Sequence, residues 1–151
     1  MFIKEIDLFE GMSQGFIDEI AKIMVEESYG ENSFLFKEGD LANDFYVLEE
    51  GSIRLALGEE GHITYTINAP GDSFGWSSLV DRDVYTTSAQ CIQPTKVIKI
   101  EKGKLQKIFD KHRFSGLMFY KRLARTVGDR LINNYNSLLS AYRGEGPPSY
   151  G

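Results

Sequence analysis

The feature that most constrains this chain is the spacing of its turns between Ser33 and Ile100. Short runs rich in β-branched and aromatic residues (FLF, FYVLEE, SIRLAL, ITYTIN, YTTSAQCI and KVIKI) are separated by the turn signals Glu38-Gly39-Asp40, Glu50-Gly51, Glu60-Gly61 and Pro70-Gly71-Asp72. Turns at intervals of roughly ten residues leave room for strands and none for a helix of ordinary length, which is the punctuation of an all-β barrel or sandwich. The predicted class is therefore mainly β, with helices confined to the two ends.

At the amino-terminal end Phe16, Ile17, Ile20, Ala21, Ile23 and Met24 recur at helical spacing behind Ser13, so a short amphipathic helix capped by Ser13 is expected over Phe16 to Met24. Beyond the β block, Lys104 to Phe109 reads as a short helix. Phe114 to Tyr142, free of proline and dense in Leu, Arg, Lys and Ala, reads as a long one. Leu117, Ala124, Leu131 and Leu138 share one heptad position, and Tyr120, Val127, Asn134 and Ala141 share its partner position, which is a coiled-coil seam and implies a parallel homodimer. Asn134 is the type of polar seam residue that fixes register and two-strandedness. The expected organisation is one unit over 1–142, with a helical part at 1–32, a β block at 33–101 and helices at 102–142, followed by a flexible Gly- and Pro-rich tail at 143–151.

Charge and composition remove several function classes. Seventeen Lys and Arg against 22 Asp and Glu give a net charge of −5, so the positive field that draws proteins to nucleic acid is missing and direct DNA binding is not expected. Lys121, Arg122, Arg125 and Arg130 on the long helix lie off the seam and read as a solvated face, as do the couplets Glu26-Glu27, Glu49-Glu50 and Glu59-Glu60. No apolar run is long enough for a membrane span, and Lys4, Glu5 and Asp7 interrupt the start where a signal peptide needs an unbroken apolar stretch, so a cytoplasmic location is expected. Cys91 stands alone, and with His62 and His112 as the only histidines neither a disulfide nor a metal site is expected. Nucleophile elbow, phosphate-binding loop and dinucleotide fingerprint are absent, so no catalytic residue is assigned and no enzymatic activity is expected.

Two glycine-centred segments carry a resemblance. Glu38-Gly39-Asp40-Leu41-Ala42-Asn43-Asp44-Phe45-Tyr46-Val47-Leu48-Glu49-Glu50-Gly51 and Ala69-Pro70-Gly71-Asp72-Ser73-Phe74-Gly75 resemble the cyclic-nucleotide-binding domain of the catabolite activator protein family, the second matching the opening of its phosphate-binding cassette. The resemblance implies a jelly-roll barrel (double-stranded β-helix), an N-terminal helical part and a long dimerising helix beside the ligand pocket. No residues are left for the helix-turn-helix domain that the family's transcription factors carry.

The same resemblance places a pocket around Phe74, Gly75, Trp76, Ser77, Ser78, Tyr85, Thr86 and Thr87, with Arg130, Leu131 or Asn134 reaching it from the long helix. In the family a Glu directly after the cassette Gly holds the ribose hydroxyl and an Arg further on pairs with the cyclic phosphate. Here Trp76 stands in place of the Glu and Tyr85 in place of the Arg. Loss of the guanidinium alone removes a charge-assisted interaction of roughly 1.5–3 kcal/mol. The neutral hydroxyls left behind favour an uncharged or weakly polar effector, with Trp76 offering either a flat binding surface or a plug that fills the emptied pocket. The expectation is a regulatory sensor of an unidentified small molecule, working as a homodimer and passing its signal to a separate protein. The alternatives are a ligand-free interaction module closed by Trp76, and a true cyclic AMP or cyclic GMP sensor in which Arg82 serves as the phosphate ligand.

Overall fold

A computed structural model describes residues 3–58 and 63–144. Ser13 caps α1 (Gln14–Ile23), its hydroxyl accepting from the Phe16 N–H, and Phe16, Ile17 and Ile20 form the buried stripe. The strands then run β1 (Met24–Tyr29), β2 (Phe34–Phe36), β3 (Asp44–Glu50), β4 (Ile53–Leu57), β5 (Ile63–Ile67), β6 (Ser73–Phe74), β7 (Ser88–Cys91) and β8 (Thr95–Glu101), followed by α2 (Lys102–Lys111) and α3 (Arg113–Tyr142). They form two four-stranded antiparallel sheets, ordered β1-β8-β3-β6 and β2-β7-β4-β5, the two faces of a jelly roll.

The centre of one sheet is buried on both sides, and β3 shows why. Phe45 and Val47 point to a core built with α1, α2 and the first half of α3, whereas Tyr46 and Leu48 point into the roll against Phe36, Ile53, Phe74 and Val97. A strand covered on both faces reads as an unbroken apolar run, as Phe45-Tyr46-Val47-Leu48 does. The outer core is aromatic: the Phe119 ring lies 5.1 Å from Phe109, 5.5 Å from Phe9 and 5.8 Å from Phe45 between centroids.

Four sequence expectations are corrected here. The β region begins at Met24 rather than Ser33, because β1 pairs along β8 from Met24↔Ile100 to Tyr29↔Thr95. Glu27 within it is no free surface charge but an ion pair to Lys99 across the strands at 2.7 Å. The run YTTSAQCI yields only β7, since Tyr85 lies in the preceding turn, where its N–H bonds to the Asp40 carbonyl. Fourth, Arg122 is not on a solvated face: its guanidinium donates to the carbonyls of Asp7, Leu8 and Glu10 and ties the amino-terminal 3-10 turns to α3. The expected turn at Glu59 to His62 and the tail from Glu145 onward lie outside the described residues.

Gly51, at the β3–β4 turn, has φ +107°, and a Cβ there would sit 2.7 Å from the Thr95 Cα and 2.8 Å from the Pro94 carbonyl oxygen. Both obstacles are backbone and cannot swing aside. Gly51→Ala is expected to lower stability by about 1–3 kcal/mol, read as a lower urea midpoint at unchanged slope, and a midpoint within error of the parent would contradict this packing.

Candidate ligand pocket

The cassette is built around Gly75. At φ +77° it caps the 3-10 helix Trp76–Leu79, and a Cβ would stand 3.1 Å from both the Asp44 carbonyl oxygen and the Tyr46 ring. The Ser78 hydroxyl donates to the Gly75 carbonyl at 2.8 Å, closing the helix on itself. Ser77 and Ser78 are buried by this arrangement, and Phe74 lies fully inside the roll, stacked on Tyr46 at 5.1 Å. None of the three is among the residues lining the cavity between the roll and the long helix.

Tyr85 is corrected in the same way. Its ring stacks on Phe36 with centroids 3.7 Å apart, and its hydroxyl donates to the Asp44 carbonyl at 2.6 Å. Burial pushes its phenol up to about 12, the hydrogen bond that the Asp44 N–H donates to the phenol oxygen pulling the other way. It is a core residue that locks the cassette turn to β3, and its hydroxyl is taken. Arg82 is exposed, one residue after Asp81 at φ +58°, and does not line the cavity; Thr86, half-buried, does not line it either.

What does come together is a cavity of about 270 Å³ between the roll and α3. Trp76 and Thr87 form one side and Leu55, Leu57, Thr64 and Tyr65 of the β4–β5 pair another, while Val127, Arg130, Leu131 and Asn134 close it from the helix. Trp76 forms a half-buried wall and leaves this volume open. The β4 and β5 residues were not singled out from the sequence, although a signal exists. Ile53, Leu55 and Leu57 share one face of β4 and pass from buried through half-buried to exposed, an apolar column that runs out from under the core and needs a cover.

α3 also grips the cassette at both ends. The Tyr120 hydroxyl donates to the Leu79 carbonyl at 3.1 Å, and the Arg130 guanidinium donates to the Ser73 carbonyl. Arg130 lies over the Tyr65 ring at 5.2 Å as well, so this residue faces the cavity rather than solvent. Lys121 and Arg125 are exposed. Behind Ser73, Asp72 is half-buried, and burial raises its carboxyl above the ordinary range while Arg130 pulls it down.

A profile of the cyclic nucleotide-binding domain matches residues 26–112, more than half of the chain. The chain belongs to the cyclic nucleotide-binding domain family. It is 26% identical over 100 residues to the cyclic AMP receptor protein of Thermus thermophilus, covering 65% of this chain and 46% of that one. Over 111 residues it is 21% identical to the cGMP-dependent protein kinase egl-4 of Caenorhabditis elegans, covering 71% of this chain and 14% of the kinase. The crystal structure of a Geobacter metallireducens GS-15 protein described as cyclic nucleotide-binding superimposes with a TM-score of 0.73 at 28% identity, covering 83% of this chain and 92% of that one. The chain spans less than half the length of the curated relatives it matches.

Among the described residues no group of His, Cys, Asp and Glu could hold a metal, and no helix is long and apolar enough to cross a membrane. His62 lies outside the described residues. His112 is not a simple surface residue: its Nε2 meets a Glu19 carboxylate oxygen and its ring stands edge-on to Phe16. Glu19 is held below the ordinary carboxylate range chiefly by that His112 hydrogen bond.

Proposed function

We propose that this chain is a non-enzymatic sensor domain in which a compact effector other than a cyclic nucleotide occupies the cavity beside Trp76, and α3 carries the signal. The observation that carries the reading is the cavity itself: its walls come from the roll, from the cassette and from α3, so an occupant touches all three at once. The grip of Tyr120 and Arg130 on Leu79 and Ser73 gives a mechanical route from cassette to helix. Among the described residues no carboxylate lines the cavity to accept a ribose hydroxyl, and the residue at the expected phosphate-ligand position is a core tyrosine.

The signal is proposed to pass to a second copy of the chain. Beyond the cavity α3 exposes Leu131, Ile132, Tyr135, Leu138, Leu139 and Tyr142, an apolar band along its last turns. This band overlaps the expected seam at Leu131 and Leu138 but is completed by Tyr135 and Leu139, while Asn134 lines the cavity and Tyr120 is bonded within its own chain. A separate protein partner would read the resulting dimer.

Calorimetry with cyclic AMP and cyclic GMP tests the pocket reading. Each is expected to bind more weakly than about 10 μM, that is, with less than about 7 kcal/mol, and tighter binding of either would restore the nucleotide-sensor reading.

A further inference from the structure

Among the described residues that line the cavity Arg130 is the one charged side chain, and its partners there are neutral. The Ser73 carbonyl accepts from one arm of the guanidinium and the Tyr65 ring lies beneath it. Among the described residues it makes no ion pair within 4.0 Å; Asp72, whose carboxyl Arg130 pulls down, remains outside that range. A guanidinium has five N–H donors in a planar fork, so donors beyond the one given to Ser73 remain for an anion, at the edge of a lining whose other described residues are neutral and mostly apolar.

The rest of the lining limits what that anion is attached to. Leu55, Leu57, Val127 and Leu131 offer only apolar surface, and Trp76 adds a flat ring. At about 270 Å³ the volume lies just below the ~300–1,000 Å³ of sites that hold drug-sized ligands. Resting on the sensor reading above, we propose that the cavity binds a compact aromatic carboxylate, its ring against Trp76 and its carboxylate gripped in bidentate fashion by Arg130. A carboxylate matches the fork in two parallel N–H···O bonds, and the single negative charge balances the single cation. This places the specificity determinant on the signalling helix rather than in the cassette.

The test uses the full chain and four acids, namely benzoate, phenylacetate, indole-3-acetate and 1-naphthylacetate, each beside its primary amide, with binding followed by calorimetry and ligand-observed NMR. At least one acid is expected to bind below about 1 mM and about tenfold more tightly than its amide. In Arg130→Gln that ratio falls to about one with the amide's own affinity kept, and in Arg130→Lys, which keeps the charge and loses the fork, it falls part of the way. Thermal unfolding of both variants separates loss of binding from loss of fold, and the lysine variant answers alone if the glutamine variant does not fold. Equal affinities for acid and amide would overturn the proposal and leave the small-effector pocket standing. Silence from every acid, every amide and both cyclic nucleotides would overturn both.

Discussion

Phe119→Ala is expected to destabilise the domain by about 3–5 kcal/mol, the range of buried phenylalanine truncations that leave a cavity behind. Phe119 is fully buried and touches the rings of Phe9, Phe45, Phe109 and Tyr120, so one side chain joins the amino-terminal turn, β3, α2 and α3. These neighbours are rigid rings anchored on separate elements and cannot collapse together into the space left behind. Against the ~5–15 kcal/mol of a typical domain, the loss is a large fraction of the total. Phe114→Ala is the internal control: Phe114 is 76% exposed, and its truncation is expected to stay within about 0.5 kcal/mol. Urea unfolding of the two variants against the parent measures both. A Phe119→Ala loss below about 1 kcal/mol would show that α3 does not pack on the roll through this residue.

The packing of Phe119 also explains which parts of the chain the sequence makes legible. The turn-punctuated block, the capped α1 and the long α3 can all be read from local patterns, because Gly turns, a Ser cap and a proline-free run act within a few residues. β1 escapes such reading. Its sequence, MVEESY, shows no clean alternation, being half-buried only at Met24, Glu27 and Tyr29, and it is the pairing along β8, with Glu27 bridged diagonally to Lys99, that makes it a strand. Pairing across such a separation leaves no mark in the local pattern.

The pocket divides along the same line. Trp76, Thr87 and Asn134 are found by laying the chain on the family pattern, whereas Tyr85 is misplaced by it. A tyrosine at the family's arginine position has both a ring and a hydroxyl to bury, and Phe36 and the Asp44 carbonyl satisfy the two inside the roll. Arg130 illustrates the opposite case. By heptad position it is set aside with Lys121 and Arg125 as a charge off the seam, and only the fold, which brings Tyr65 and the Ser73 carbonyl beside it, shows it turned inward.

Leu138→Asp is expected to convert the proposed dimer to a monomer without unfolding the chain. Leu138 is 67% exposed and lines neither the core nor the cavity, so within one chain the substitution removes nothing that is packed. In a two-helix seam the same change places a carboxylate from each copy in an apolar interface. Burying an unpaired charge there costs several kcal/mol, and in a two-fold assembly it is incurred on both sides. The parent is expected to scatter light as twice 17.1 kDa at micromolar concentration and the variant as 17.1 kDa, with the far-ultraviolet spectrum and urea slope of the folded domain retained. A parent that already scatters as a monomer would sink the dimer. A variant that stays dimeric would move the interface off the band formed by Leu131, Tyr135, Leu138 and Tyr142. Because Leu131 belongs to both this band and the cavity lining, an occupant that shifts Leu131 must alter the interface. The coupling is reciprocal, so the dimer should bind the effector with a different affinity from the Leu138→Asp monomer, and equal affinities would show that the helix does not carry the signal.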